Sequence, residues 1–134
     1  MNEKVISALS DIEKYLADLG SFGISSASDL KVREKYYASS MVLFSLINRI
    51  IDLAQEIVIS RNLGMPGSYR EIFGILADRG VIDPKMFGIM KRFIVLRNRL
   101  SHEYQRINGK ELFNGIREAG ALRDVVSRLK KELG

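Results

Sequence analysis

The chain has no cysteine, which excludes disulfides, thiolate nucleophiles and any zinc site built on sulfur. It has one histidine, His102, so a His-rich metal site is excluded too, and no grouping of Asp and Glu has the look of a carboxylate-only site; no metal is expected. It also lacks a long apolar run. A membrane-spanning helix needs about 18 or more consecutive apolar residues, and the nearest approach, residues 41–59, is interrupted by Asn48, Arg49, Asp52 and Glu56. The N-terminal stretch carries Glu3, Asp11 and Glu13 where a secretory signal needs an unbroken apolar segment and a small-residue cleavage site. A soluble, cytoplasmic protein is the expectation.

What is present is an ordinary globular balance: 134 residues, 46% hydrophobic and 28% charged. That length suits one self-sufficient core, so a single domain over residues 1–134 is expected. Lys and Arg number 21 against 16 Asp and Glu, giving a net charge of +5. A surplus of that size suits a polyanion such as RNA; a well-solvated surface with a modest bias gives the same number.

The apolar pattern is helical throughout. Val5, Ile6, Leu9, Ile12, Leu16 and Leu19 recur at spacings of three and four, and Gly20 ends that helix. A Gly/Ser-containing connector over 20–28 follows. A long second helix is predicted over 29–62, capped by Ser28 and closed by Gly64, with a stripe of Leu30, Tyr37, Met41, Phe44, Ile47, Ile51, Ala54 and Val58. Met65-Pro66-Gly67 is a turn. Ser68 through Glu71 reads as a capping box opening a short helix that stops at Gly80. Asp83-Pro84 opens a fourth helix reaching about Arg106, and after the Asn108-Gly109 turn a last helix spans 110–133. No alternating β pattern appears. The expected architecture is all-α: an antiparallel bundle of four main helices plus a short one.

The chemistry concentrates in Arg97-Asn98-Arg99-Leu100-Ser101-His102-Glu103-Tyr104. His102 is the one side chain whose unperturbed pKa lies near neutrality, which makes it the candidate for proton transfer. Cleavage of RNA by internal transesterification needs a base for the 2′-hydroxyl proton and a cation to balance charge on the phosphorane. His102 and Arg97 suit those roles, and neither needs a metal. A lone histidine in a basic helix is also a common surface or interface residue. Asn98 is a candidate to bond the imidazole or RNA, and Asp52 to orient Arg97 or His102; each also fits as an ordinary surface residue, Asp52 in an ion pair. Arg99, Arg106 and Lys110 are candidates to steer the RNA backbone, though cations near a helix C-terminus also favour the dipole. Tyr36, Tyr37 and Tyr69 could stack on bases or fill core edges. Ser101 has no base one turn away, and the basic cluster over 123–131 reads as a solvated face.

At about 100° per residue, Met86, Ile89, Phe93, Leu96 and Leu100 share the stripe that faces the core. Phe87, Ile94 and Val95 lie on a second flank with Asn98 and His102. A helix apolar on two sides needs cover on both, and a second copy of the chain is one such cover. A homodimer would bring His102 and its symmetry mate towards a shared cleft. Tyr104 falls about 160° from His102 on an ideal helix, so either the helix end is distorted near Tyr104 or this residue has a role separate from cleavage; the second is the preferred reading.

Arg97-x4-His102-x-Tyr104 resembles the Arg-x4-His-x-Tyr signature of the HepT-like toxins of the HEPN superfamily. The likeness extends upstream through Ile51-Asp52, Gly64 to Tyr69 and Phe73 to Leu76. The resemblance implies a HEPN helical bundle that dimerises around a cleft. It implies a metal-independent, cofactor-free ribonuclease acting on tRNA or mRNA, with Arg97 and His102 as the catalytic pair. It further implies a toxin whose antitoxin is an MNT-type nucleotidyltransferase, able to transfer AMP to Tyr104; added phosphate charge beside the cleft would repel RNA. The rival readings are a non-catalytic helical module that docks a nucleotidyltransferase or nucleotide, and a purely structural helical dimer.

Overall fold

The computed structural model describes residues 1–103 and 106–134. Its elements are α1 (Glu3–Ser21), a 3₁₀ turn (Ala27–Lys31), α2 (Arg33–Ser60), α3 (Tyr69–Asp78), α4 (Pro84–Glu103), α5 (Gly109–Glu118), a second 3₁₀ turn (Ala119–Ala121) and α6 (Leu122–Leu133). There is no strand among the described residues, and no helix there is long and apolar enough to cross a membrane.

Helix α2 is the axis of the bundle, touching α1, α3, α4, α5 and α6. It can do so because Leu43, Leu46, Ile47, Ile50, Leu53, Ala54 and Ile57 are all fully buried: the apolar positions run around most of the helix rather than along one stripe. Phe73 from α3, Phe93 from α4 and Leu112 from α5 fill the remaining space. Truncating Phe93 to alanine would cost about 3–5 kcal/mol in lost burial and cavity formation. On α1 the buried residues are Val5, Ala8, Ile12, Leu16 and Leu19, while Ile6, expected in that stripe, is 55% exposed.

The helix starts are set by side-chain caps. Asn2 Oδ1 accepts from the Val5 N–H at 2.9 Å, Ser68 Oγ from Glu71 N–H at 3.1 Å, Asp83 Oδ1 from Met86 N–H at 2.7 Å and Asn108 Oδ1 from Glu111 N–H at 2.8 Å. Each satisfies a donor that the first helical turn leaves without an intrahelical partner. The carboxylate of Glu71 reaches back to the Gly67 N–H at 2.5 Å, closing the turn before α3.

Three boundaries differ from the sequence expectation. The predicted start of the second helix at residue 29 is displaced to Arg33. The Asp29 carboxylate instead accepts from the Ser25 N–H at 2.8 Å, the Ser26 N–H at 3.1 Å and the Ser25 hydroxyl at 3.2 Å. An aspartate bonded to nearby backbone favours a turn over a helix. These bonds hold the Asp29 carboxyl below the usual carboxylate range, the Ser25 N–H contributing most. The fourth helix, described to Glu103, does not take in Arg106, whose N–H turns back to the Glu103 carbonyl at 2.7 Å. The expected single helix over 110–133 is two helices, because the 3₁₀ turn at Ala119–Ala121 re-aims the chain. Helix α5 lies against the 27–31 turn and α2, and α6 then follows α2 and α4.

The second apolar flank of α4 also finds a different cover. Ile94 is buried, and the Phe87 ring lies over Gly74 of α3, where an added Cβ would stand 3.7 Å from it. The short helix α3 thus covers within the chain much of the flank for which a second copy was one possible cover. Val95 alone of that apolar trio stays exposed, at 62%.

Candidate active site

Arg97 occupies the corner where α4 meets α2 and α3. Its Nε–H donates to Asn48 Oδ1 at 2.9 Å. An Nη1–H donates to the neighbouring Asn98 Oδ1 at 3.2 Å. The guanidinium carbon stands 5.0 Å from the centre of the Phe44 ring and 4.8 Å from that of Tyr69, within the range in which a cation is attracted to a ring face. Two asparagines and two aromatic rings therefore hold the plane of this cation. A guanidinium has five N–H donors, and these two bonds leave the others for a ligand.

Sequence reasoning missed Asn48. The signal was available: Phe44 and Asn48 are four apart, hence on one helix face, and Asn48 is a polar interruption between Ile47 and Ile50. Phe44, read as a core-stripe residue, is half-buried and serves the arginine. Tyr69, raised as a base-stacking candidate, lies on Arg97 instead.

His102 is exposed in the last turn of α4. Five residues after Arg97, it points about 140° away around an ideal helix, so one copy of α4 does not turn both side chains to one spot. Asn98, also exposed, lies between them one turn before His102. Tyr104 lies outside the described residues.

Two expectations are corrected. Asp52 does not reach Arg97 or His102: its carboxylate pairs with Arg49 Nη2 at 2.7 Å, three residues back on the same helix. The orienting group beside Arg97 is Asn48. Arg99 is not held out towards an RNA backbone either, since its guanidinium pairs with both carboxylate oxygens of Glu111 and, at 3.5 Å, with Glu103. It fastens the end of α4 to α5. Arg106 and Lys110 are exposed. On the last helix Arg128 pairs with Glu132 at 3.1 Å, and Arg123 with Glu13 at 3.7 Å.

Tyr36 donates its hydroxyl to the Ile107 carbonyl at 2.7 Å, tying the segment after α4 back to α2. Burial pushes this phenol above its ordinary value of 10.0, with Tyr37 adding to the rise; the two rings meet edge to face at 5.6 Å. Among the described residues no group of three or more His, Asp or Glu is placed to hold a metal.

A family model described as Ribonuclease HepT-like matches residues 6–131. The mRNA nuclease HepT of Shewanella oneidensis is 26% identical over 112 residues, covering 81% of each chain. The solved structure of YutE from Bacillus subtilis, described as a cytosolic protein of unknown function, superposes with a TM-score of 0.82 at 27% identity. That match covers 97% of this chain and 88% of YutE. The structure of a tri-AMPylated Shewanella oneidensis HEPN toxin in complex with an MNT antitoxin gives a TM-score of 0.87 at 22% identity, covering 98% and 99%. At that identity the likeness shows the fold, and the fold is that of a HEPN helical bundle.

Proposed function

The chain belongs to the HepT-like ribonuclease family, and from that premise we propose that it is the toxin of a toxin–antitoxin pair, cleaving RNA without a metal through Arg97 and His102. The observation that carries this reading is the fixed guanidinium of Arg97. Restrained by Asn48, Asn98, Phe44 and Tyr69, it offers its remaining N–H groups in a set direction, and a planar fork of donors matches two phosphate oxygens.

The chemistry follows from that placement. The imidazole of His102 takes the proton of a ribose 2′-hydroxyl, whose oxygen attacks the adjacent phosphorus. Arg97 balances the charge that develops on the phosphorane, an electrostatic contribution greatest where the donors are already oriented. The bond to the 5′-oxygen breaks and that oxygen is protonated, leaving a 2′,3′-cyclic phosphate and a 5′-hydroxyl. Because Arg97 and His102 diverge around α4, the reading includes a homodimer whose two copies of α4 border one cleft, so that one His102 serves as base and the other as acid. Val95, exposed two turns before His102 on its flank of α4, supports a partner there. An isologous interface presents both sets of residues.

Regulation in this proposal follows the sequence motif and what the solved HEPN toxin is described as carrying, AMP groups and an MNT antitoxin. The partner nucleotidyltransferase moves AMP from ATP to the Tyr104 hydroxyl. A new phosphodiester forms there and pyrophosphate leaves. The added anion repels the RNA backbone.

Purified protein is expected to cut RNA in the presence of EDTA, and His102→Ala and Arg97→Ala to abolish the cut. Cleavage retained by His102→Ala would sink the mechanism. Intact mass after co-expression with the partner gene reads the modification, which Tyr104→Phe should remove.

A further inference from the structure

Beyond Arg97, towards the end of α4, that helix and α2 part to leave a hollow of about 410 Å³. It is lined by Tyr37, Ser40, Met41, Phe44, Leu100 and Ser101. The Phe44 ring belongs to both places: it lines this hollow, and its centre lies 5.0 Å from the Arg97 guanidinium carbon. Ser101 is one helical turn after Arg97. A group joined by one sugar to a phosphate on Arg97 therefore has this hollow within reach.

The lining has a definite chemistry. No Lys, Arg, Asp or Glu is in it, which disfavours a phosphate or a charged side chain as occupant. Aromatic and thioether walls suit the flat face of a base. Two hydroxyls, Ser40 and Ser101, can each donate and accept at a base edge. Ser40 is only 5% exposed, and its hydroxyl has no hydrogen-bond partner. Buried hydroxyls are nearly always paired. Ser39, next to it and outside the hollow, is left over in the same way; of the two, Ser40 borders the hollow, where rotation about its Cα–Cβ bond would turn the hydroxyl to a polar group that enters.

We propose that this hollow is a nucleobase subsite, seating the base next to the scissile phosphate against Phe44 and Met41, with Ser40 and Ser101 reading its edge. The proposal rests on the ribonuclease reading of Arg97 and His102, and it adds a source of sequence preference that a phosphate clamp cannot supply.

The test uses short 2′-O-methyl RNA strands, which cannot be cut. One position carries the fluorescent base 2-aminopurine, or is abasic, in an otherwise identical strand. Wild-type protein is expected to quench the fluorescence at one position and to bind the abasic strand about tenfold more weakly, the worth of one stacked base. Ser101→Trp fills the hollow from the exposed surface of α4, and Met41→Trp narrows it from α2, where Met41 is 65% exposed. Each should remove both effects. Ser40→Ala should keep the quench and change the ranking of the four natural bases. Equal affinity for intact and abasic strands, or unchanged binding by both tryptophan variants, overturns the subsite. Conversion of a dimer to a monomer by Ser101→Trp in sedimentation also overturns it, assigning the hollow to a second copy of the chain. Failure of any strand to bind overturns it as well. The ribonuclease reading is judged separately in each case, by His102-dependent cleavage of ordinary RNA.

Discussion

Asn48 and Arg97 lie 49 positions apart in the chain and are joined by a 2.9 Å hydrogen bond from Nε–H to Oδ1. A bond from Nε fixes the rotation of the guanidinium, while the rings of Phe44 and Tyr69 at 5.0 and 4.8 Å fix its tilt. The arginine side chain is flexible, so a cation held in this way has lost its orientational freedom before substrate arrives.

Asn48→Ala should accordingly slow RNA cleavage by about ten- to a hundredfold, since a hydrogen bond to a charged group is worth about 1.5–3 kcal/mol. The loss should fall on the single-turnover rate more than on RNA affinity, because the charge remains and only its aim is lost. Asn48→Asp should be worse: a carboxylate beside Arg97 competes with phosphate for the same donors. At Tyr69, phenylalanine should keep most of the rate, and alanine should lose the share due to the ring. A rate unchanged in Asn48→Ala would show that Arg97 is oriented by substrate alone.

How much of this was legible beforehand depends on the range of the interaction. The short caps at Ser68 and Asp83 were readable because each acts within three residues of itself, while Asn108, read as part of a turn, caps α5 as well. The second covered flank of α4 was readable from Phe87 and Ile94, with Val95 left exposed, but its cover was not, since periodicity says that a face is apolar and not what lies upon it. Asn48 escaped notice for a related reason: its place four residues after Phe44 shows which face it shares, while the partner 49 positions away leaves no mark in the local pattern. The break at Ala119–Ala121 escaped because Leu112, Leu122, Val125 and Leu129 keep helical spacing on either side of it. Ser28 misled because a serine before an apolar run marks a helix start or a turn alike; its hydroxyl lies 2.8 Å from that of Ser26.

Two glycines should respond to alanine in opposite ways. Gly80, just past α3, has φ +74° with nothing within 4 Å of where a Cβ would stand, so alanine there meets no atom but must adopt a left-handed backbone. The expected cost is about 1–2 kcal/mol. Gly20 lies inside α1, also with open space around it, and alanine there should stabilise by about 0.5–1 kcal/mol through helix propensity. Urea unfolding of the two variants beside the wild type decides both signs.

Tyr36→Phe removes the hydroxyl bond to the Ile107 carbonyl and should cost about 1 kcal/mol at neutral pH. The variant also tests the raised phenol. A folded pKa above the unfolded one means that the neutral phenol stabilises the fold below the ordinary tyrosine range, and that this contribution is lost as pH rises through the folded value. Wild-type stability should therefore fall faster than that of Tyr36→Phe above about pH 10, and the gap between the two proteins should narrow there. A gap that stays constant up to about pH 11 would mean that the phenol titrates alike in both states.

The salt dependence of RNA binding should separate the basic residues near the end of α4 by whether they already have partners. Each phosphate contact made by a cation to a single strand adds about 0.7 to the slope of log affinity against log salt. Arg106 and Lys110 are exposed, so Arg106→Gln and Lys110→Gln should each make the slope shallower by about that amount. Arg99 stands close to both in the chain, yet its guanidinium is engaged by Glu111 and Glu103. Arg99→Gln should leave the slope unchanged while lowering stability, because Glu111 loses its partner at the junction of α4 and α5. If Arg99→Gln instead flattens the slope as the other two do, the pairing with Glu111 gives way when RNA binds, and Arg99 belongs with the steering cations after all.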